Sequence, residues 1–339
     1  LFVSFIVRAA RRDDLQQLFE LARQFSLLNL PAEKRAIETK IERSVASFAG
    51  ELGKADAEYI FVVEDTEGEL VTGSSMIIAK NGTPASPNYS FKVLKKERFS
   101  RELGIGFIHQ ILRLNVNTDG PTELGGLVVD RAYRRRPEKV GRMISLSRFL
   151  YIGMKPERFE AELHSEMAPP LTDEGRSEFW EALGRRFTGM PYREADLISN
   201  QNNGFIQSLF PEEDIYLALL DSKARLVLGR VGEETQAALH LLNKIGFRYK
   251  EEVDPFDGGP HLSCATQECT MVRGLKKAPL KKLSSGAFDQ MALIGLLRDG
   301  SYIGGASSFR MEGSEVVLPE KTWVLLNLSE GEEVYLSSL

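Results

Sequence analysis

Cysteine is almost missing from this chain, with two in 339 residues. So few exclude a disulfide framework and fit a reducing, cytoplasmic setting. Long apolar runs are also missing. No stretch approaches the roughly 20 consecutive apolar residues that span a bilayer, so no membrane partner is expected, and the apolar opening Leu1-Phe-Val-Ser-Phe-Ile-Val7 reads as a first strand. Positive charge is not in excess: the formal net charge is −5, which gives no reason to expect nucleic acid. Histidine is scarce, at four residues. The spacing His261-x-x-Cys264-x4-Cys269 offers three donors where a closed zinc site needs four at other intervals, so no metal is expected.

What is present describes a folded α/β protein. Hydrophobic residues make up 42% and charged residues 27%, and a chain of this length suggests two or three domains. Leu15, Leu18, Phe19, Leu21 and Ala22 have helical spacing, as do Ile37, Ile41, Val45 and Phe48. Tyr59–Val63 and Leu70–Ile78 read as a hairpin, and Tyr89–Leu94 as a third strand of the same meander. Leu103–Leu114 has mixed periodicity and stays unassigned. Further on, Glu160–Met167 suggests a strand, Phe179–Phe187 a short helix and Thr235–Ile245 a clear helix. Beyond about residue 272 short apolar runs, Thr322–Leu328 among them, alternate with Gly and Ser and suggest a small, mostly β appendage.

The most informative stretch is Leu124-Gly-Gly-Leu127-Val128-Val129-Asp130, followed by an Arg- and Gly-rich loop and then Met143, Ile144, Leu146, Phe149 and Leu150 at helical spacing. A strand passing through such a loop into a helix N-terminus is an anion cradle, because free backbone N–H groups meet the positive end of the helix dipole there. A pyrophosphate suits it. The cluster Arg131, Arg134, Arg135, Arg136, Lys139 and Arg142 would normally be a solvated face, but beside a phosphate cradle it is equally a source of attraction for phosphates.

This order of elements is similar to the acyl-CoA-binding core of the GNAT N-acyltransferases. Several stretches resemble one GNAT-like family more narrowly, the arginine N-succinyltransferases: Arg8-Ala-Ala-Arg-Arg-Asp-Asp14, Phe61-Val-Val-Glu-Asp65, Ser177-Glu-Phe-Trp180 with Leu183-Gly-Arg-Arg-Phe187, Gly246-Phe-Arg-Tyr249, and Asp254-Pro-Phe-Asp-Gly-Gly-Pro-His-Leu-Ser-Cys264. The resemblance implies tandem GNAT-like halves at 1–159 and 160–271, followed by a small β-rich domain at 272–339. It implies transfer of a succinyl or related acyl group from succinyl-CoA or another acyl-CoA, a co-substrate rather than a resident cofactor, to the α-amino group of L-arginine or a similar basic amino acid. A homo- or hetero-oligomer is compatible with it.

Carried over residue by residue, the resemblance places acyl-CoA against the backbone of Leu127, Val128 and Val129. The phosphate loop falls on Arg136, Lys139, Val140 and Gly141, with Lys139 where the superfamily pattern has its first Gly. The family's proton-donor histidine aligns with Gly232, which can neither give nor take a proton. Restoring a histidine there is expected to raise turnover if the backbone is unchanged. His261 and Glu233 are the candidates for the missing acid or base, set against plain readings as a turn histidine and a helix-start charge. Asp254 and Asp257 suit a substrate guanidinium or, equally, turn chemistry of their own. A second reading therefore stays open, in which the chain is a catalytically impaired acyl-CoA-binding paralogue or the partner subunit of a heteromeric succinyltransferase.

Overall fold

A computed structural model describes residues 4–24, 31–199, 203–282 and 286–339. Its contacts group the chain into two compact units, Leu1–Lys80 with Thr122–Ala161 and Ala265–Leu339, and Asn81–Pro121 with Glu162–Cys264.

In the first unit β1 (Phe5–Ala9) leads to α1 (Leu15–Ala22), α2 (Lys34–Ala49), β2 (Glu58–Asp65) and β3 (Leu70–Ile78). The Arg8…Asp14 motif serves this fold: the buried guanidinium donates to both Asp14 oxygens at 2.7 and 2.8 Å and to Glu64. Strands β1, β2 and β3 pair antiparallel. The chain then builds β4 (Asn88–Ser100) and β5 (Ile105–Asn117) in the second unit before returning as β6 (Thr122–Val129) and α3 (Val140–Met154). The meander expected from the sequence is thereby corrected. Its third strand is β6, which pairs with β3, whereas β4 pairs with β5 and β9 (Arg248–Val253). Thr122 helps to fix this, donating from Oγ1 to Ala79 O at 2.7 Å. The unassigned 103–114 stretch is β5. Its periodicity is unclear because Phe107 and Ile108 both stay exposed.

The second unit continues through β7 (Glu162–Glu166), α4 (Glu178–Ala182), α5 (Gly184–Thr188), α6 (Tyr192–Ser199), α7 (Gly204–Leu209), β8 (Ile215–Tyr216), α8 (Ser222–Val227), α9 (Gln236–Lys244), β9 and β10 (Pro260–Ala265). Its core centres on Trp180, whose ring stacks on Phe256 at 5.2 Å and whose Nε1 donates to Met190 O at 2.9 Å.

After α10 (Thr270–Arg273) come β11 (Lys276–Lys281), β12 (Gln290–Arg298), β13 (Ser301–Glu312), β14 (Glu315–Val317), α11 (Glu320–Leu326) and β15 (Glu333–Ser338). The pairings β12–β15, β15–β11, β11–β14, β14–β13 and β13–β12 close on themselves. Closure satisfies both edges of every strand in the ring. The apolar run 322–328 is helical at its start rather than β, entered after Pro319 and ended by Asn327 at φ 49°. This ring belongs to the first unit, because β13 also pairs with β1, Val7 opposite Gly304 and Arg8 opposite Ile303. No described helix is long and apolar enough to cross a membrane.

Candidate active site

Strand β6 carries an irregularity where the cofactor strand is expected. Val128 faces Ser74 and Gly125 faces Met76, so Gly126 and Leu127 together oppose Ser75 alone. This is a β-bulge, which leaves its extra residue out of the ladder and re-aims the backbone. Gly126 sits at φ 58°, and a Cβ there would lie 2.8 Å from Met76 Cγ, so only glycine fits. Leu127 is half-buried, Val128 points into the core with Val62, Val71 and Met76, and Val129 is half-buried at the strand end. Beneath the bulge lies Arg148 of α3, fully buried. Its guanidinium donates to Gly125 O at 3.3 Å and to Ser145 Oγ at 2.9 Å. Burial depresses its pKa to about 9, and it makes no ion pair among the described residues.

The loop leaves β6 at Asp130, whose Oδ1 accepts from Ala132 N at 2.8 Å and whose Oδ2 accepts from Gln24 at 2.7 Å. Arg136 lies with its guanidinium 4.0 Å from the Tyr133 ring centroid and donates from Nε to Ala132 O. Lys139 is the N-cap of α3 at φ 51°, ψ 45°, with no side-chain cap on the helix. The lysine in the glycine position has thus kept the glycine conformation. Intrahelical bonding begins with Arg142 N and Met143 N on Lys139 O. The N–H groups of Val140 and Gly141 precede these bonds in the first turn, where a helix N-terminus has donors that suit an anion. Val140 is buried, Gly141 is half-buried, and Arg135, Arg136, Lys139 and Arg142 are exposed around it. A Cβ on Gly141 would lie 3.4 Å from Val129 Cγ2, so strand end and helix start meet closely.

In the second unit the Asp254–Asp257 turn does what the plain reading requires. Asp254 Oδ1 accepts from Phe256 N and Asp257 N at 2.7 and 2.9 Å, and Asp257 Oδ1 accepts from Gly259 N at 2.7 Å. The charges themselves are uncompensated: no Lys or Arg among the described residues pairs with either. Burial, then repulsion from Glu166, lifts Asp254 to about 7. Burial and Asp254 raise Asp257 well above its ordinary value and Asp196 to about 7. Burial also raises Glu166 to about 7.

His261 is 1% exposed and is held well below its ordinary pKa by burial, then by His164 and Lys250. Its ring meets that of His164 at 4.7 Å. Glu233 lies instead on an exposed turn before α9. Gly232, just ahead of it, donates to Ala168 O at 2.9 Å, and a Cβ there would lie 2.9 Å from Pro169 O. Sequence reasoning missed Gly126, Arg148, His164 and Glu166 as site residues. A Gly-Gly pair within a strand, an arginine inside an apolar helix and a His-x-Glu alternation were the available signals.

The sequence model of the arginine N-succinyltransferase beta subunit family matches residues 5–271. The chain belongs to the arginine N-succinyltransferase family. Arginine N-succinyltransferases of Escherichia coli and Shigella dysenteriae are each 33% identical to it over 83% of this chain and 81% of their own length. The solved structure of arginine/ornithine succinyltransferase subunit AI from Pseudomonas aeruginosa matches with a TM-score of 0.87 and 27% identity, over 99% of this chain and 98% of that one. The family match and the Pseudomonas aeruginosa structure agree with the α/β fold, and the latter extends over the strand-rich C-terminal region.

Proposed function

We propose that this chain transfers a succinyl group from succinyl-CoA to the α-amino group of L-arginine in the cytoplasm. The observation that carries the reading is the bulge at Gly126 and Leu127. A backbone N–H released from the ladder can pair with the pantetheine arm and donate to the thioester oxygen as negative charge develops there. The first turn of α3 and the Arg136 and Lys139 side chains take the CoA phosphates. Buried Arg148 holds the carbonyl side of the bulge, so its donors keep one direction through the reaction. The neutral amine attacks the thioester carbon, the oxyanion forms against the strand, and the C–S bond breaks to release the CoA thiolate. With Gly232 at the proton-donor position, proximity and oxyanion stabilisation carry the rate; the attacking nitrogen gives up one proton to solvent, and the thiolate takes one from solvent. The uncompensated Asp254 and Asp257 support a cationic acceptor, since a guanidinium would relieve their repulsion.

Thiol release from succinyl-CoA tests this. Release should require both substrates, and arginine should exceed its neutral ureido analogue citrulline at least ~10-fold in kcat/KM. The second reading, a catalytically impaired acyl-CoA-binding paralogue or the partner subunit of a heteromeric succinyltransferase, rests on Gly232 alone. CoA binding without release above the enzyme-free rate would establish that reading instead.

A further inference from the structure

Strand β7 carries His164 and Glu166 two positions apart, so both side chains leave the same face. The neighbouring strand β10 carries His261. One donor atom from each residue lies within 4.8 Å of the other two. The separations are 3.5 Å from His164 Nε2 to Glu166 Oε1 and 3.6 Å from His261 Nε2 to the same oxygen. These are too long for hydrogen bonds, which need about 3.2 Å or less. They suit a shared ion, because two ligands held at about 2.0–2.1 Å in a tetrahedron stand about 3.3 Å apart. His261 Nε2 is buried and has no hydrogen-bond partner among the described residues. An orphaned buried polar group is costly, and coordination would remove that cost.

We propose that His164, Glu166 and His261 bind one divalent transition-metal ion of the zinc class, with a water or small oxygen ligand in the fourth position. Two imidazoles and a carboxylate select such an ion over Mg²⁺ or Ca²⁺, which take oxygen shells. The fourth position has a place in the polar cavity that His164 and His261 line together with Asn88, Ser90, Asn115 and Asn117, which has room for about one water. Lys250 also lines this cavity, but its ammonium donates to Glu162 Oε1 at 2.7 Å and its charge is compensated. The ion would join the strand that precedes helices α4–α9 to a strand that follows them, a clip closing the whole helical segment.

The test uses the full chain, stripped of metal by a chelator, then titrated with Zn²⁺ by calorimetry and with Co²⁺ by visible absorption. The expected result is one ion per chain, a four-coordinate Co²⁺ spectrum and a raised unfolding midpoint. His164→Ala and His261→Ala should each weaken binding at least ~10-fold. Glu166→Gln keeps the side-chain volume and should weaken binding as much, which decides the matter if a histidine variant does not fold. Absence of stoichiometric uptake by the wild-type chain overturns the proposal. Uptake unchanged in Glu166→Gln and in the folded histidine variants overturns it equally. Binding is read directly, so the outcome is independent of acyl transfer.

Discussion

Lys139 holds a left-handed conformation, φ 51°, that glycine adopts freely. For a residue with a Cβ this costs about 1–2 kcal/mol, and glycine gives back about 0.5–1 kcal/mol through its more flexible unfolded chain. Lys139→Gly should therefore stabilise the protein by up to about 1 kcal/mol, read as a higher urea midpoint, while weakening acyl-CoA binding through the lost ammonium. A variant that gains stability and keeps its CoA affinity would show that the lysine charge does not reach the phosphates. Gly232 behaves oppositely. The gain expected from restoring a histidine assumed an unchanged backbone, but a Cβ there meets Pro169 O at 2.9 Å and Pro169 C at 3.2 Å. Overpacking of this kind costs about 1–3 kcal/mol. Gly232→His should lower the unfolding free energy by about that amount, read as a lower urea midpoint, without raising kcat, and a higher kcat at an unchanged midpoint would refute this.

At the scale of elements, the turn between β9 and β10 concentrates carboxylates whose protonated forms the fold favours. Asp254 and Asp196 rise from 3.8 to about 7, and Glu166 from 4.5 to about 7. Between those limits the native state binds more protons than the unfolded chain, so stability falls as pH rises. The urea midpoint should drop between pH ~5 and pH ~8, and Asp254→Asn should flatten that slope. L-arginine should restore part of the loss at the higher pH if its guanidinium sits there. A midpoint that rises across this range would contradict the burial of these groups. The sequence disclosed the β6–loop–α3 stretch because strand, loop and helix periodicities are local. It also disclosed Asp254 and Asp257, which serve their own turn. It did not disclose the bulge, since a Gly-Gly pair in a strand does not say which neighbour it opposes. Nor did it join His164 and Glu166 to His261, because that meeting depends on two strands separated by all the helices of the second unit.

At the scale of the whole chain, the family match ends at residue 271, and the residues beyond it read in sequence as an appendage. The packing argues otherwise. Tyr302 of β13 is 1% exposed, with its ring 5.4 Å from Phe61 of β2 and 6.1 Å from Tyr151 of α3. Ile6 of β1 is buried in one cluster with Leu280, Ile294 and Val334 of the strand ring. Ending the chain at 271 would expose the β1 edge now paired with β13, strip the outer face of α3 and leave Ile6 without cover. One buried aromatic removed costs about 3–5 kcal/mol, against a total stability of about 5–15 kcal/mol. Tyr302→Ala should therefore lose about 3–5 kcal/mol in urea unfolding, and the 1–271 chain should show no cooperative transition by circular dichroism. Because α3 both frames the phosphate cradle and carries Arg148 beneath the bulge, that truncated chain should also fail to bind CoA. A truncated chain that unfolds cooperatively and binds CoA would make the ring a separable appendage, whereas loss of both properties makes it part of the scaffold that holds the strand proposed to bind acyl-CoA.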